Sequence, residues 1–133
     1  MSASWDGETV LPSSWYLTQT AQWYNFRKDY WEEILCELQM ENLQLECTYC
    51  GWRGPWRRSK KSERYYCLDH IIPYIVAPEL AFDPDNIAIS CNQCNKEKGN
   101  KIGSEFVEFL ESVQFFNRPK DYIHKGLHAI LYG

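Results

Sequence analysis

The sequence has no apolar run approaching the roughly 18 residues that a membrane-spanning helix needs. Met1 to Val10 hold neither a basic cluster nor an apolar stretch, so a secretory signal is not expected and an intracellular location is. No internal repeat or low-complexity tract is present, which sets aside repeat arrays and long linkers. A positive total charge is also missing: the formal net charge is -4, which at first sight speaks against a polyanionic partner.

What is present points to a folded chain. Hydrophobic residues make up 44% and aromatic residues 16%, enough to exclude disorder over most of the 133 residues. That length is one domain's worth, with a small core that gains from an extra staple. The charge is unevenly spread. Residues 1–46 are acidic, with eight acids against two bases, whereas residues 47–66 hold six bases (Arg53, Arg57, Arg58, Lys60, Lys61, Arg64) and one acid. Phosphate responds to a local field screened over roughly 10 Å, so this basic stretch counts for more than the total.

The six cysteines are informative by position. Cys47-x-x-Cys50 and Cys91-x-x-Cys94 form two tight pairs. A two-residue gap lets two thiolates of one turn reach a single ion, and a second such turn completes a tetrahedron. Four soft thiolates favour zinc, in a closed site that cannot activate water. The quartet is therefore expected to be scaffold. Cys36 and Cys67 stand apart and are expected to be small buried residues.

Periodicity supplies the elements. The first 25 residues show no clean period and read as a lead-in. Trp31, Ile34, Leu35 and Leu38 recur at helical spacing, predicting a helix over 29–42 with Asp29 as its cap and Asn42 as its stop. Alternation predicts a short strand over 43–47, a second over 65–72 containing Asp69 and His70, and a third through Ile87 and Ile89 into Cys91. A helix is expected from Cys91–Asn95 to Gly99 or Gly103, and another from Ser104 to about Phe116. His124 and His128, four apart, lie on one face of a last helix, but no Glu follows His124 as a zincin motif requires.

Between and beside the cysteine pairs lie Asp69-His70-Ile71-Ile72-Pro73, then Asn86, then Cys94-Asn95-x-x-Lys98-Gly99. In this order, after Cys47-x-x-Cys50, the motifs resemble the zinc-bearing, four-cysteine branch of the HNH endonucleases over about residues 45–101. The third signature position, often histidine, is Asn95, so the chain resembles the H-N-N variant. The resemblance implies an α+β fold with a ββα-metal (His-Me finger) core stapled by zinc and flanked by helices at both ends. The chain would be a single nuclease domain over 1–133. Its parts would be an N-terminal extension and helix over 1–44, the core over 45–101 and a C-terminal helical extension over 102–133.

By matching position, His70 would be the general base, Asp69 and Asn95 would hold one catalytic Mg²⁺ or Mn²⁺ ion, and Asn86 would orient the loop presenting His70. Residue chemistry agrees. Neighbours on a strand point to opposite sides, an imidazole takes a proton near neutral pH, and oxygen ligands suit hard cations. DNA is the implied substrate, cut to 5′-phosphate and 3′-hydroxyl ends. Lys96, Lys98 and Lys101 join the six bases of residues 47–66 as expected phosphate contacts, with aromatics among them for stacking. So compact an HNH domain resembles free-standing phage or bacterial proteins. The implied setting is the cytoplasm of a bacterium or phage-infected host, as a homodimer or within a larger phage or bacterial complex. The competing expectations are a zinc-ribbon-like module that binds nucleic acid or protein without cutting, and a nuclease for structured or RNA substrates.

Overall fold

The computed structural model describes residues 20–40, 45–55, 63–118 and 124–133. Its architecture is α+β. Helix α1 spans Ala21–Met40, strands β1 and β2 span Tyr66–His70 and Ile87–Cys91, and helices α2, α3 and α4 span Asn92–Lys98, Gly103–Ser112 and Lys125–Tyr132. Among the described residues, no helix is long and apolar enough to cross a membrane.

The two strands form one antiparallel hairpin in which Asp69 faces Ala88 and His70 faces Ile87. Residues directly opposite share a face, so the hairpin sorts its side chains into two groups. On one side, Tyr49, Ala88, Phe106, Phe109 and Leu110 pack around Cys47, Cys91 and Cys94. On the other, Trp23, Ala81 and Ile87 meet Phe26, Tyr30, Leu68 and Phe82. Every residue of β2 is buried, because it lies beneath both groups.

Helix α1 begins eight residues before the expected start. Thr20 caps it, its Oγ1 accepting from the Trp23 amide at 3.0 Å, while Asp29 is an exposed interior residue. The face that packs is Trp23, Phe26 and Tyr30, spaced by three and four. Cys36 is exposed, not buried as expected.

The strand expected over 43–47 is absent at residues 45–47, the part of it that lies among the described residues. Their backbone serves a knuckle instead: the Cys47 amide donates to the Trp52 carbonyl and the Gly51 amide to the Cys47 carbonyl. Helix α3 ends at Ser112, and Gln114, at φ 61°, turns the chain into a one-turn 3-10 helix at Phe115–Asn117.

Helix α4 is capped by His124, whose Nδ1 accepts from the Gly126 and Leu127 amides at 3.1 and 3.4 Å. Its Nε2 donates to the Ile87 carbonyl. Burial lowers the His124 pKa, with that carbonyl and Asp85 pulling the other way. A proton on Nδ1 would face two N–H groups and the positive end of the helix. With the folded pKa below the unfolded value of about 6.5, the stabilisation is complete above that pH and is lost as pH falls through the folded pKa. The melting temperature is therefore expected to hold from pH 7.5 to 6.5 and then fall. One proton contributes up to about 1.4 kcal/mol per pH unit. A His124→Gln variant should melt lower at pH 7.5 and lose less on acidification; parallel curves for the two proteins would refute the cap's role.

Candidate functional site

Cys47 and Cys50 come from the knuckle, Cys91 ends β2 and Cys94 lies in the first turn of α2. The four sulfurs all lie within 4.8 Å of one another, and Cys50 and Cys91 are 3.8 Å apart. A tetrahedral zinc with arms of about 2.3 Å would space its sulfurs about 3.8 Å apart, so donor set and geometry both fit. Hydrogen bonds with Cys47 and Cys94 bring the Cys50 thiol down to about 3, whereas those with Cys47 and Cys50 push Cys94 up. Such crowded sulfurs cannot all ionise without a cation among them. Arg64, expected to meet phosphate, instead donates to the Cys50 and Cys91 sulfurs at 3.3 and 3.6 Å and lies 5.1 Å over the Trp52 ring. Its charge offsets that of a metal-bound quartet.

The quartet also starts α2. Cys91 is the N-cap, its sulfur accepting from the Cys94 amide. Asn95 follows directly. This helix, laid against the hairpin, completes the expected ββα arrangement.

His70 and Asp69 part to opposite faces, as strand geometry requires. His70 is 9% exposed and lies under Trp23, with ring centroids 5.0 Å apart. Its Nε2 is 3.0 Å from the Ala81 carbonyl. A carbonyl only accepts, so Nε2 carries the hydrogen and Nδ1 keeps the lone pair. Burial holds the His70 pKa below the ordinary imidazole value, with the Ala81 carbonyl and Asp69 opposing. The ring is neutral at pH 7.

Asn86 braces the loop joining the strands. Its Oδ1 accepts from the Ile72 amide at 2.8 Å, and its Nδ2 donates to the Ile72 and Leu80 carbonyls at 3.1 and 3.4 Å. It closes the hairpin just past His70 and fixes the segment that supplies the Ala81 carbonyl.

Asp69 is 5% exposed. Its Oδ2 accepts from the Tyr49 hydroxyl at 2.5 Å and lies 3.2 Å from Lys98 Nζ. Burial pushes its carboxyl above the usual range, while Lys98 and Tyr49 pull it back. Tyr49, raised by the same burial and by Asp69, stays a phenol and donates. Asn95 is half-buried. An ion shared by Asp69 and Asn95 does not fit this arrangement, because the carboxylate is already engaged by an ammonium and a hydroxyl. Among the described residues, no second group of three or more His, Cys, Asp and Glu gathers at ligand distance. Cys67, its thiol pushed up to about 12 by burial, is inert at neutral pH.

The expected phosphate contacts separate. Arg57, Arg58, Lys60 and Lys61 lie outside the described residues. Lys96 is exposed, and so is Arg53, which pairs with Glu46 at 3.1 Å. Lys101 is half-buried, bonded to the Glu97 carbonyl. Lys98 corrects the expectation, because it is fully buried and faces Asp69, not solvent. His124 spends Nδ1 on the cap of α4 and Nε2 on the Ile87 carbonyl, and His128 packs on Tyr132.

Sequence reading missed Tyr49 and Trp23. Tyr49 carried a signal, since it lies inside the knuckle, where a side chain must face the cluster. Trp23 carried none, being 47 positions from the histidine it covers. No curated protein and no solved structure matches the chain. Residues 47–101, which hold both knuckles, the Asp69-His70 pair, Asn86 and Asn95, match the family model of the HNH endonucleases.

Proposed function

We propose that the chain hydrolyses phosphodiester bonds in DNA, with His70 as general base and zinc held by Cys47, Cys50, Cys91 and Cys94. The observation that carries the reading is the contact of His70 Nε2 with the Ala81 carbonyl, at 3.0 Å. With Nε2–H fixed on the Ala81 carbonyl, Nδ1 is an acceptor in a ring that is neutral at pH 7. A water donating to Nδ1 loses its proton there as its oxygen attacks phosphorus. The bond from phosphorus to the 3′ oxygen breaks in line, and the departing oxygen takes a proton from solvent, leaving 5′-phosphate and 3′-hydroxyl ends. Asn86 positions this base through the loop. Exposed Arg53 and Lys96 provide backbone contacts, together with the basic residues 57–61. Mg²⁺ or Mn²⁺ is the cofactor implied by the family resemblance; with Lys98 in place, Asp69 is closed to it. Free thiols in the quartet suit a reducing cytoplasm.

The test is nicking of supercoiled plasmid with Mg²⁺ or Mn²⁺. Wild type should nick, its rate rising with pH through a midpoint below about 6.5. The zinc-loaded His70→Ala protein should lose about a hundredfold or more. One observation favours a second reading, a module that binds without cutting: His70 is nearly covered by Trp23. Two folded, DNA-binding proteins that both fail to nick would establish that module instead.

A further inference from the structure

We propose that Lys98 positions the general base: its ammonium anchors the His70 carbonyl, and with it the backbone that carries the imidazole, while Asp69 and Tyr49 hold the ammonium in place. The inference rests on the phosphodiesterase reading above, which makes His70 the base and gives Lys98 no part.

An ammonium has three N–H groups to place, and a buried one cannot leave them to water. Lys98 Nζ lies 3.2 and 3.5 Å from the two Asp69 oxygens and donates to the His70 carbonyl at 2.9 Å. The contact with the carbonyl is the shortest of the three. Asp69 balances the charge, as so dry a place requires, and the Tyr49 hydroxyl in turn steadies Asp69. The peptide unit leaving His70 is thereby held at both ends, because the Ile71 amide donates to the Asn86 carbonyl at 2.8 Å. That unit is planar, so fixing its C=O and N–H fixes the direction in which Cβ leaves the His70 Cα. The ring at the end of that bond meets the Ala81 carbonyl. Freed to rotate, the backbone would swing the ring off Ala81, and Nδ1 would no longer wait at one place for its water.

The anchor is rigid for a reason visible in the chain. Lys98 follows Cys94 by four residues on α2, so the two share a face. The cysteine turns to the quartet, and the lysine meets the end of β1. Tyr49 stands between Cys47 and Cys50 in the knuckle. Both arms of the network therefore start from the four-sulfur scaffold and end at His70. A closed thiolate site that cannot itself activate water thus acts on the base through Lys98.

Lys98→Met alone strands the Asp69 carboxylate and endangers the fold. The informative variant joins it to Asp69→Asn, which leaves no buried charge and keeps an acceptor for Tyr49. The side-chain nitrogen NMR resonances of His70, assigned by their loss in His70→Ala, are read in zinc-loaded full-length protein at about pH 8, where imidazole is neutral. They should show one protonated and one bare nitrogen in wild type and in Asp69→Asn, which retains the amine. In the double variant they should converge towards the average of two exchanging tautomers. A single tautomer kept in the double variant would overturn the proposal. Convergence in Asp69→Asn would do the same, since charge balance and not the carbonyl anchor would then be the cause. Two exchanging tautomers in wild type would overturn it with no substitution made. Plasmid nicking with Mg²⁺ sets the role apart from a merely structural one. The double variant should lose about tenfold or more in kcat, with KM for plasmid within about twofold of wild type; a loss confined to KM would overturn the proposal. If no protein nicks, the nuclease reading fails, and the resonances alone decide whether Lys98 fixes His70.

Discussion

Removing the metal from the cysteine quartet is expected to abolish the cooperative thermal transition of the protein. Cys47, Cys91 and Cys94 are buried and belong to the same apolar cluster as Tyr49, Phe106, Phe109 and Leu110. Without a cation, four sulfurs within 4.8 Å of one another must stay partly protonated or move apart, and either change opens the cluster. Structural zinc in small sites supplies on the order of 10 kcal/mol, comparable with the whole stability of a domain, about 5–15 kcal/mol. Helix α2 depends on it directly, since the Cys91 sulfur is its cap. Far-UV circular dichroism during chelation should show lost structure and a broadened melt, both restored by adding zinc. Cys94→Ser should behave like the chelated protein. A verified metal-free protein with an unchanged melt would remove the scaffold role.

Gly126→Ala carries the second large effect, and its sign opposes helix propensity. Alanine in place of glycine inside a helix ordinarily gains about 1 kcal/mol. Here a Cβ at Gly126 would stand 1.6 Å from the Asp85 carbonyl oxygen and 2.7 Å from its carbon. Both are backbone atoms in the turn that ends at Asn86, so no side chain can swing aside. Helix α4 must lift, exposing Leu127, now 1% exposed, and breaking the His124 bond to the Ile87 carbonyl. The expected loss is about 3 kcal/mol, read as a melting temperature lower by roughly 10 °C. A gain in stability would mean that α4 does not seat on this turn.

The contrast between these two sites shows what a sequence makes legible. The quartet could be read directly because each half is a local turn whose geometry is set by a two-residue gap. The hairpin and α2 followed for a similar reason, their boundaries lying close to the motifs they carry. Gly126 gave no such signal, since the atom that forbids a side chain there belongs to a residue 41 positions away. Lys98 was misjudged for the same reason. Its neighbours Lys96 and Lys101 suggested a basic surface, whereas its partner Asp69 lies 29 positions back and meets it only after α2 folds onto β1. The start of α1 was missed because Trp23, Phe26 and Tyr30 are separated by polar residues and make a narrow stripe, visible only when Ile87 and Phe82 are seen to meet it.

The hairpin's alternation, which sends Asp69 one way and His70 the other, has a consequence for how such a chain can change over generations. Side chains on the quartet's face are bound together by four converging sulfurs, a buried charge pair and a close-packed cluster, so substitutions there must arrive in concert. The His70 face is covered by α1, whose only fully buried residue is Trp23. A lineage could rebuild that helix, and with it whatever approaches the histidine, without disturbing the scaffold behind it. Diversity among related chains should therefore gather on α1 and thin out around the sulfurs.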